Sequence, residues 1–104
     1  MSKSDPTLER EVEQPASKYA KLRRWFEIKI MRASRNGFPD RFYARRVPTC
    51  PHCGNETNVL LVEYKRPGGG RLSESQIERI AELRAAGVRV EVIDDLERAR
   101  EVLR

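Results

Sequence analysis

Cysteine, histidine and aromatic residues are scarce in this 104-residue chain: two Cys, one His, one Trp, three Tyr and three Phe. Two cysteines set close together are not the disulfide framework that small secreted domains need. No apolar run approaches the roughly 20 residues of a membrane-spanning helix. No apolar stretch follows the charged opening Met1-Ser2-Lys3-Ser4-Asp5-Pro6, so no secretory leader is read and a cytoplasmic protein is expected. Neither an internal repeat nor a composition shift marks a second domain, and a nucleotide cofactor is not expected. The expectation is one domain over residues 1–104, with 1–7 flexible.

Charge, by contrast, is abundant and unevenly placed. Charged residues make up 36% of the chain, hydrophobic residues 38%, and the net charge is +5. That apolar share still supports a globular core. Residues 1–14 hold two basic and four acidic side chains, whereas residues 15–46 hold ten basic side chains against only Glu27 and Asp40. A basic block of this kind suits a phosphate-binding surface, because Lys and Arg contacts to phosphate release condensed counterions. Arg32, Arg35 and Arg41 are its candidate DNA contacts. A merely solvated Arg-rich surface is the plainer alternative. The interleaved Trp25, Phe26, Phe38, Phe42 and Tyr43 fit a core as well as a stacking platform.

Hydrophobic spacing predicts the order helix, three strands, helix, strand, helix. Residues 8–24 read as a helix with Leu8, Val12, Ala16, Tyr19 and Leu22 on one stripe. Pro15 either kinks it or opens a second helix. Strands follow at 25–31 and 40–46, separated by a loop whose turn signal is Asn36-Gly37. A polar connection at 47–57 forms a cysteine-containing hairpin insertion, and a third strand runs over 59–65. In that strand Leu61, Glu63 and Lys65 face one way and Leu60, Val62 and Tyr64 the other, so it should be central. Ser73 and Gln76 have the spacing of a capping box for a helix over 73–86, with Ile77, Ile80, Ala81 and Leu83 inward and Gly87 ending it. Val88, Val90 and Val92 form a fourth strand. Asp94 and Glu97 repeat the capping pattern for a last helix with Leu96, Ala99, Val102 and Leu103 inward. The crossover from strand three to strand four should be parallel, giving a mixed α/β sheet flanked by helices.

Asp40, Glu63 and Lys65 carry the chemistry in this reading. Glu63 and Lys65 stand two apart on a strand that is apolar on both faces, and charge buried there is costly unless paired or bound to a metal. If strands two and three pair, a carboxylate from each converges on one point with an ammonium beside them. Two carboxylates and a main-chain carbonyl, that of Tyr64, suit a hard cation such as Mg²⁺. Such an ion lowers the pKa of water and stabilises charge on phosphate. The plain alternative is a turn aspartate and an ordinary Glu-x-Lys pair.

The succession Gly37-Phe38-Pro39-Asp40, Val62-Glu63-Tyr64-Lys65 and Leu72-Ser73-Glu74-Ser75-Gln76 resembles the virus-type replication-repair nuclease (VRR-NUC) family of the PD-(D/E)xK nucleases. The likeness runs from about Glu11 to the last helix. It implies a restriction-endonuclease-like sheet, and phosphodiester hydrolysis with Mg²⁺ or Mn²⁺. It further implies a homodimer acting on branched DNA in phage or bacterial replication or repair. Asp40 and Glu63 look like the family's metal-binding carboxylates, Lys65 like its catalytic lysine and Gln76 like the glutamine after its third motif. Val12-Glu13 resembles the first-helix Ile-Glu pair, making Glu13 an additional candidate ligand, although Pro15 departs from a smooth helix there. Lys29 falls where family members carry a lysine, a candidate phosphate contact. The alternative from another class is a basic nucleic-acid-binding protein without catalysis.

Cys50-Pro51-His52-Cys53-Gly54 has the spacing of a zinc knuckle. A structural zinc needs four ligands, and the chain has no other Cys or His. Cys50 and Cys53 could therefore complete a site only with carboxylates, or with the same pair from a second subunit; the plainer alternative is a hairpin tip with reduced cysteines or a small loop disulfide.

Overall fold

The computed structural model describes residues 6–31, 33–50, 54–68 and 70–104. Its elements are α1 (Pro6–Leu22), β1 (Phe26–Lys29), β2 (Arg41–Cys50), β3 (Gly54–Tyr64), α2 (Glu74–Ala85), β4 (Val90–Ile93) and α3 (Leu96–Leu103). The four strands form one sheet in the order β1-β2-β3-β4. β1/β2 and β2/β3 are antiparallel, and β3/β4 is parallel. This is the mixed sheet, and the element order, that the sequence predicts.

α1 is one helix that passes through Pro15. An interior proline forfeits a hydrogen bond and costs about 3 kcal/mol. Val12, Ala16 and Ala20, spaced four apart around it, are all buried against the sheet and hold the helix together. No glycine ends α1. Arg24 takes the left-handed conformation at φ 69° instead. The Trp25 amide then donates to the Ala20 carbonyl at 2.9 Å and the Arg24 amide to Lys21 at 3.0 Å, a Schellman closure. Trp25 is thereby driven into the core, where its indole N–H donates to the Leu103 carbonyl at 2.7 Å.

The main core lies between α1, α3 and one sheet face, and includes Tyr43, Leu60, Val62, Tyr64, Ile93, Ala99 and Leu103. On the opposite face a smaller cluster of Leu61, Ile80 and Val90 is edged by Ile30, Phe38, Phe42, Leu72 and Leu83. The alternation read for strand three is thus realised, with β3 at the centre. α2 covers the second face only in part. Ile80 is buried and Leu83 packs on it, but Ile77 and Ala81 face outward, against expectation. One helical stripe three residues apart suffices for a helix that meets only the sheet margin.

Two boundaries also differ from the sequence reading. The strands run on into the predicted connection, Val47 pairing with Glu56 and Pro48 with Asn55, before a register shift ahead of Cys50. In α3 the capping residue is Asp95, whose carboxylate accepts from the Glu97 amide at 3.1 Å, rather than Asp94. His52 and Cys53 lie outside the described residues, as does the side chain of Cys50, so the zinc reading does too.

Candidate active site

Taken as whole residues, Glu63 and Lys65 are the buried charged residues among those described, 6% and 7% exposed. β3 delivers Glu63 to the α2 side of the sheet. Lys65 follows just past the strand, its amide held by the Ile93 carbonyl at 2.8 Å. Lys65 Nζ lies 3.6 Å from Glu63 Oε2. Gln76 joins them: Lys65 Nζ donates to Gln76 Oε1 at 3.0 Å, and Gln76 Nε2 donates to Glu63 Oε2 at 3.0 Å. The same Gln76 Oε1 accepts from the Ser73 amide at 2.9 Å, and the Gln76 amide donates to Ser73 Oγ at 3.2 Å. The capping box and the site contact expected of Gln76 therefore coexist in one residue.

Asp40 arrives from the other direction, at the end of the Gly37–Asp40 loop. Its main-chain carbonyl accepts from the Ile30 amide at 2.8 Å, fixing the loop to the end of β1. Gly37, at φ 80°, is pressed onto the start of α2 so closely that a Cβ would stand 2.2 Å from the Ser75 carbonyl oxygen and 2.6 Å from the Gln76 amide. Only glycine lets the Asp40 loop and the Gln76 turn share that space.

The electrostatics follow from this burial. The Asp40 carboxyl is pushed up to about 6, first by burial and then by the negative charge of Glu13; Arg41 and the Tyr64 backbone N–H that it accepts from pull the other way. Glu63 is pushed up to about 7 by burial and by the charge of Asp40, against the pull of Lys65. Glu63 thus senses the charge of Asp40. Asp40 Oδ1 is buried and has no hydrogen-bond partner. A buried, unpartnered carboxylate oxygen is what a bound cation would satisfy. The donors fit a hard cation on Asp40 and Glu63, with the Tyr64 carbonyl as the main-chain candidate. Among the described residues no three His, Cys, Asp or Glu side chains group to hold a metal.

Two sequence candidates meet in an ion pair. Glu13 Oε2 accepts from Arg41 Nη2 at 2.8 Å and from Nε at 3.3 Å. Arg41 is not a free cation, because its Nη1 also pairs with Glu27 at 3.3 Å and only 13% of its side chain is exposed. The basic block cannot distinguish a surface arginine from one neutralised in the interior. Lys29 is exposed opposite Arg41 in the β1–β2 ladder, Arg35 is an exposed side chain 3.6 Å from Glu82, and Arg32 lies outside the described residues.

Glu27 is the residue that sequence reasoning missed. It accepts from Ser17 Oγ at 2.6 Å and Tyr43 Oη at 2.7 Å, while Tyr43 and Tyr64 share a 2.7 Å hydroxyl contact. Its signal was its isolation: it is the one carboxylate between residues 15 and 39 of the basic block.

The mixed sheet, with paired carboxylates and a lysine brought together from β3 and the loop before β2, defines a nuclease-like α/β fold. The family model described as VRR-NUC domain matches residues 3–94. The chain belongs to that nuclease family. No curated protein matches it.

Proposed function

We propose that this chain is a divalent-metal-dependent DNA endonuclease. The observation that carries this reading is the Glu63–Lys65 pair tied by Gln76, with Asp40 acting on Glu63 and keeping one buried oxygen unpartnered. Asp40, Glu63 and the Tyr64 carbonyl would hold Mg²⁺ or Mn²⁺, which would supply Lewis acidity toward phosphate and a lowered pKa for bound water. Gln76 keeps Glu63 and Lys65 in fixed relative positions. An ammonium has three donors. Lys65 spends one on Gln76 and lies near Glu63, leaving a donor for a phosphate oxygen or the attacking water. Burial strengthens that charge by excluding solvent.

Lys65→Ala and Asp40→Asn are expected to lower Mg²⁺-dependent cleavage by about a hundredfold or more while leaving the circular dichroism spectrum intact. Full cleavage by both variants overturns the assignment. Salt-sensitive DNA retardation by the wild-type chain, without cleavage at any metal concentration, favours the non-catalytic binder instead.

The substrate we propose is branched DNA, cut by a homodimer. Support comes from the sheet face that α2 leaves bare, where Phe26, Ile28 and Val59 are 60%, 47% and 40% exposed beside the edge strand β1. Antiparallel pairing of β1 with its own copy about Ile28 would extend the sheet and join the two bare faces into one. Two such sites suit a substrate with two strands to cut. Light scattering is expected to give twice the chain mass for the wild type and a monomer for Ile28→Glu; a monomeric wild type at tens of micromolar removes the dimer. A panel of labelled junctions, flaps and linear duplexes tests the substrate.

A further inference from the structure

Glu13 lies close enough to Asp40 for its charge to raise the Asp40 carboxyl, yet it is paired with Arg41. From the structure we infer that Arg41 is a positioning residue that holds Glu13 off the cation site, so that each chain binds one divalent ion, on Asp40 and Glu63. This rests on the metal-dependent reading above and adds a count to it.

Three observations support the clamp. First, Glu13 is held twice at the same oxygen, by Arg41 Nη2 at 2.8 Å and Nε at 3.3 Å. A carboxylate already matched by a guanidinium is a weaker cation ligand than a free one. Second, Arg41 is anchored from behind. Glu27 takes its Nη1 at 3.3 Å and is itself fixed by Ser17 from α1 and Tyr43 from β2. Ser17 stands one helical turn beyond Glu13, so a single face of α1 supplies both ends of the device. Third, all three charged side chains are largely out of water, with 13% exposure for Arg41 and Glu13 and 7% for Glu27. Freeing Glu13 would leave a guanidinium short of a partner in a poorly solvated place, which is strongly unfavourable.

The test is isothermal titration of the DNA-free protein with Mn²⁺. The wild type is expected to bind one ion per chain. Glu13→Gln should bind one ion with affinity within about threefold of wild type, because Glu13 is not a ligand. Arg41→Leu should take up a second ion, and Arg41→Leu with Glu13→Gln should return to one. A tenfold or greater loss of affinity in Glu13→Gln, or two ions on the wild type, overturns the clamp while leaving metal dependence standing. If Arg41→Leu does not fold, the Glu13→Gln result decides alone. Absence of any Mn²⁺ binding by the wild type overturns the metal-dependent reading itself.

Discussion

Removing a charge from the site should make the metal-free protein more stable, and only above acidic pH. Glu63 rises from 4.5 to about 7 in the fold, chiefly because it is buried and faces Asp40. Each pKa unit is worth about 1.4 kcal/mol, so the ionised carboxylate costs the folded state up to about 3 kcal/mol. A folded pKa above the unfolded one means that the native state binds more protons between those values. Stability is then full below pH 4.5 and falls as pH rises through about 7. Asp40, raised from 3.8 to about 6, acts in the same direction over a slightly lower window. Glu63→Gln removes the titration but keeps a group able to accept from Lys65. In urea unfolding with chelator, the variant should match the wild type at pH 5 and exceed it by about 2 kcal/mol at pH 8. For a chain of this size that is a rise in Tm of about 10 °C. Added Mn²⁺ should reverse the order, stabilising the wild type and not the variant. A variant destabilised equally at both pH values would refute the argument, since Glu63 would then be an ordinary stabilising ion-pair partner.

Other consequences follow from the same geometry. Ser73→Ala should cost about 1 kcal/mol as a lost cap and leave cleavage nearly intact, whereas Gln76→Ala should also cut kcat, which separates the two roles of that turn. Gly37→Ala places a Cβ against the Ser75 carbonyl in a left-handed conformation; urea unfolding should register a loss of at least about 2 kcal/mol, together with reduced cleavage. Trp25→Phe removes the indole bond to Leu103 and, with some loss of packing, should lower stability by about 1–3 kcal/mol, without changing KM for DNA.

Sequence alone determined the parts of this protein that depend on short-range periodicity. Alternation along residues 60–65 assigned Glu63 and Lys65 to one face and made their strand central, since a two-residue period leaves no other arrangement. Ser73-x-x-Gln76 marked the start of α2 because capping is local chemistry. The three motifs in order marked the family, which residues 3–94 match. Tertiary structure alone decided which charges meet. Nothing local distinguishes Asp94 from Asp95 as a cap, or tells how much of α2 the sheet will cover. The turn after α1 carried no glycine to announce it, because core burial of Trp25 is what supports Arg24 at positive φ. Above all, a run of arginines cannot say which one turns inward. Arg41 joins Glu13 of α1 to Glu27 of β1, partners 28 and 14 residues away, and such long-range pairing is fixed only when the helix packs on the sheet.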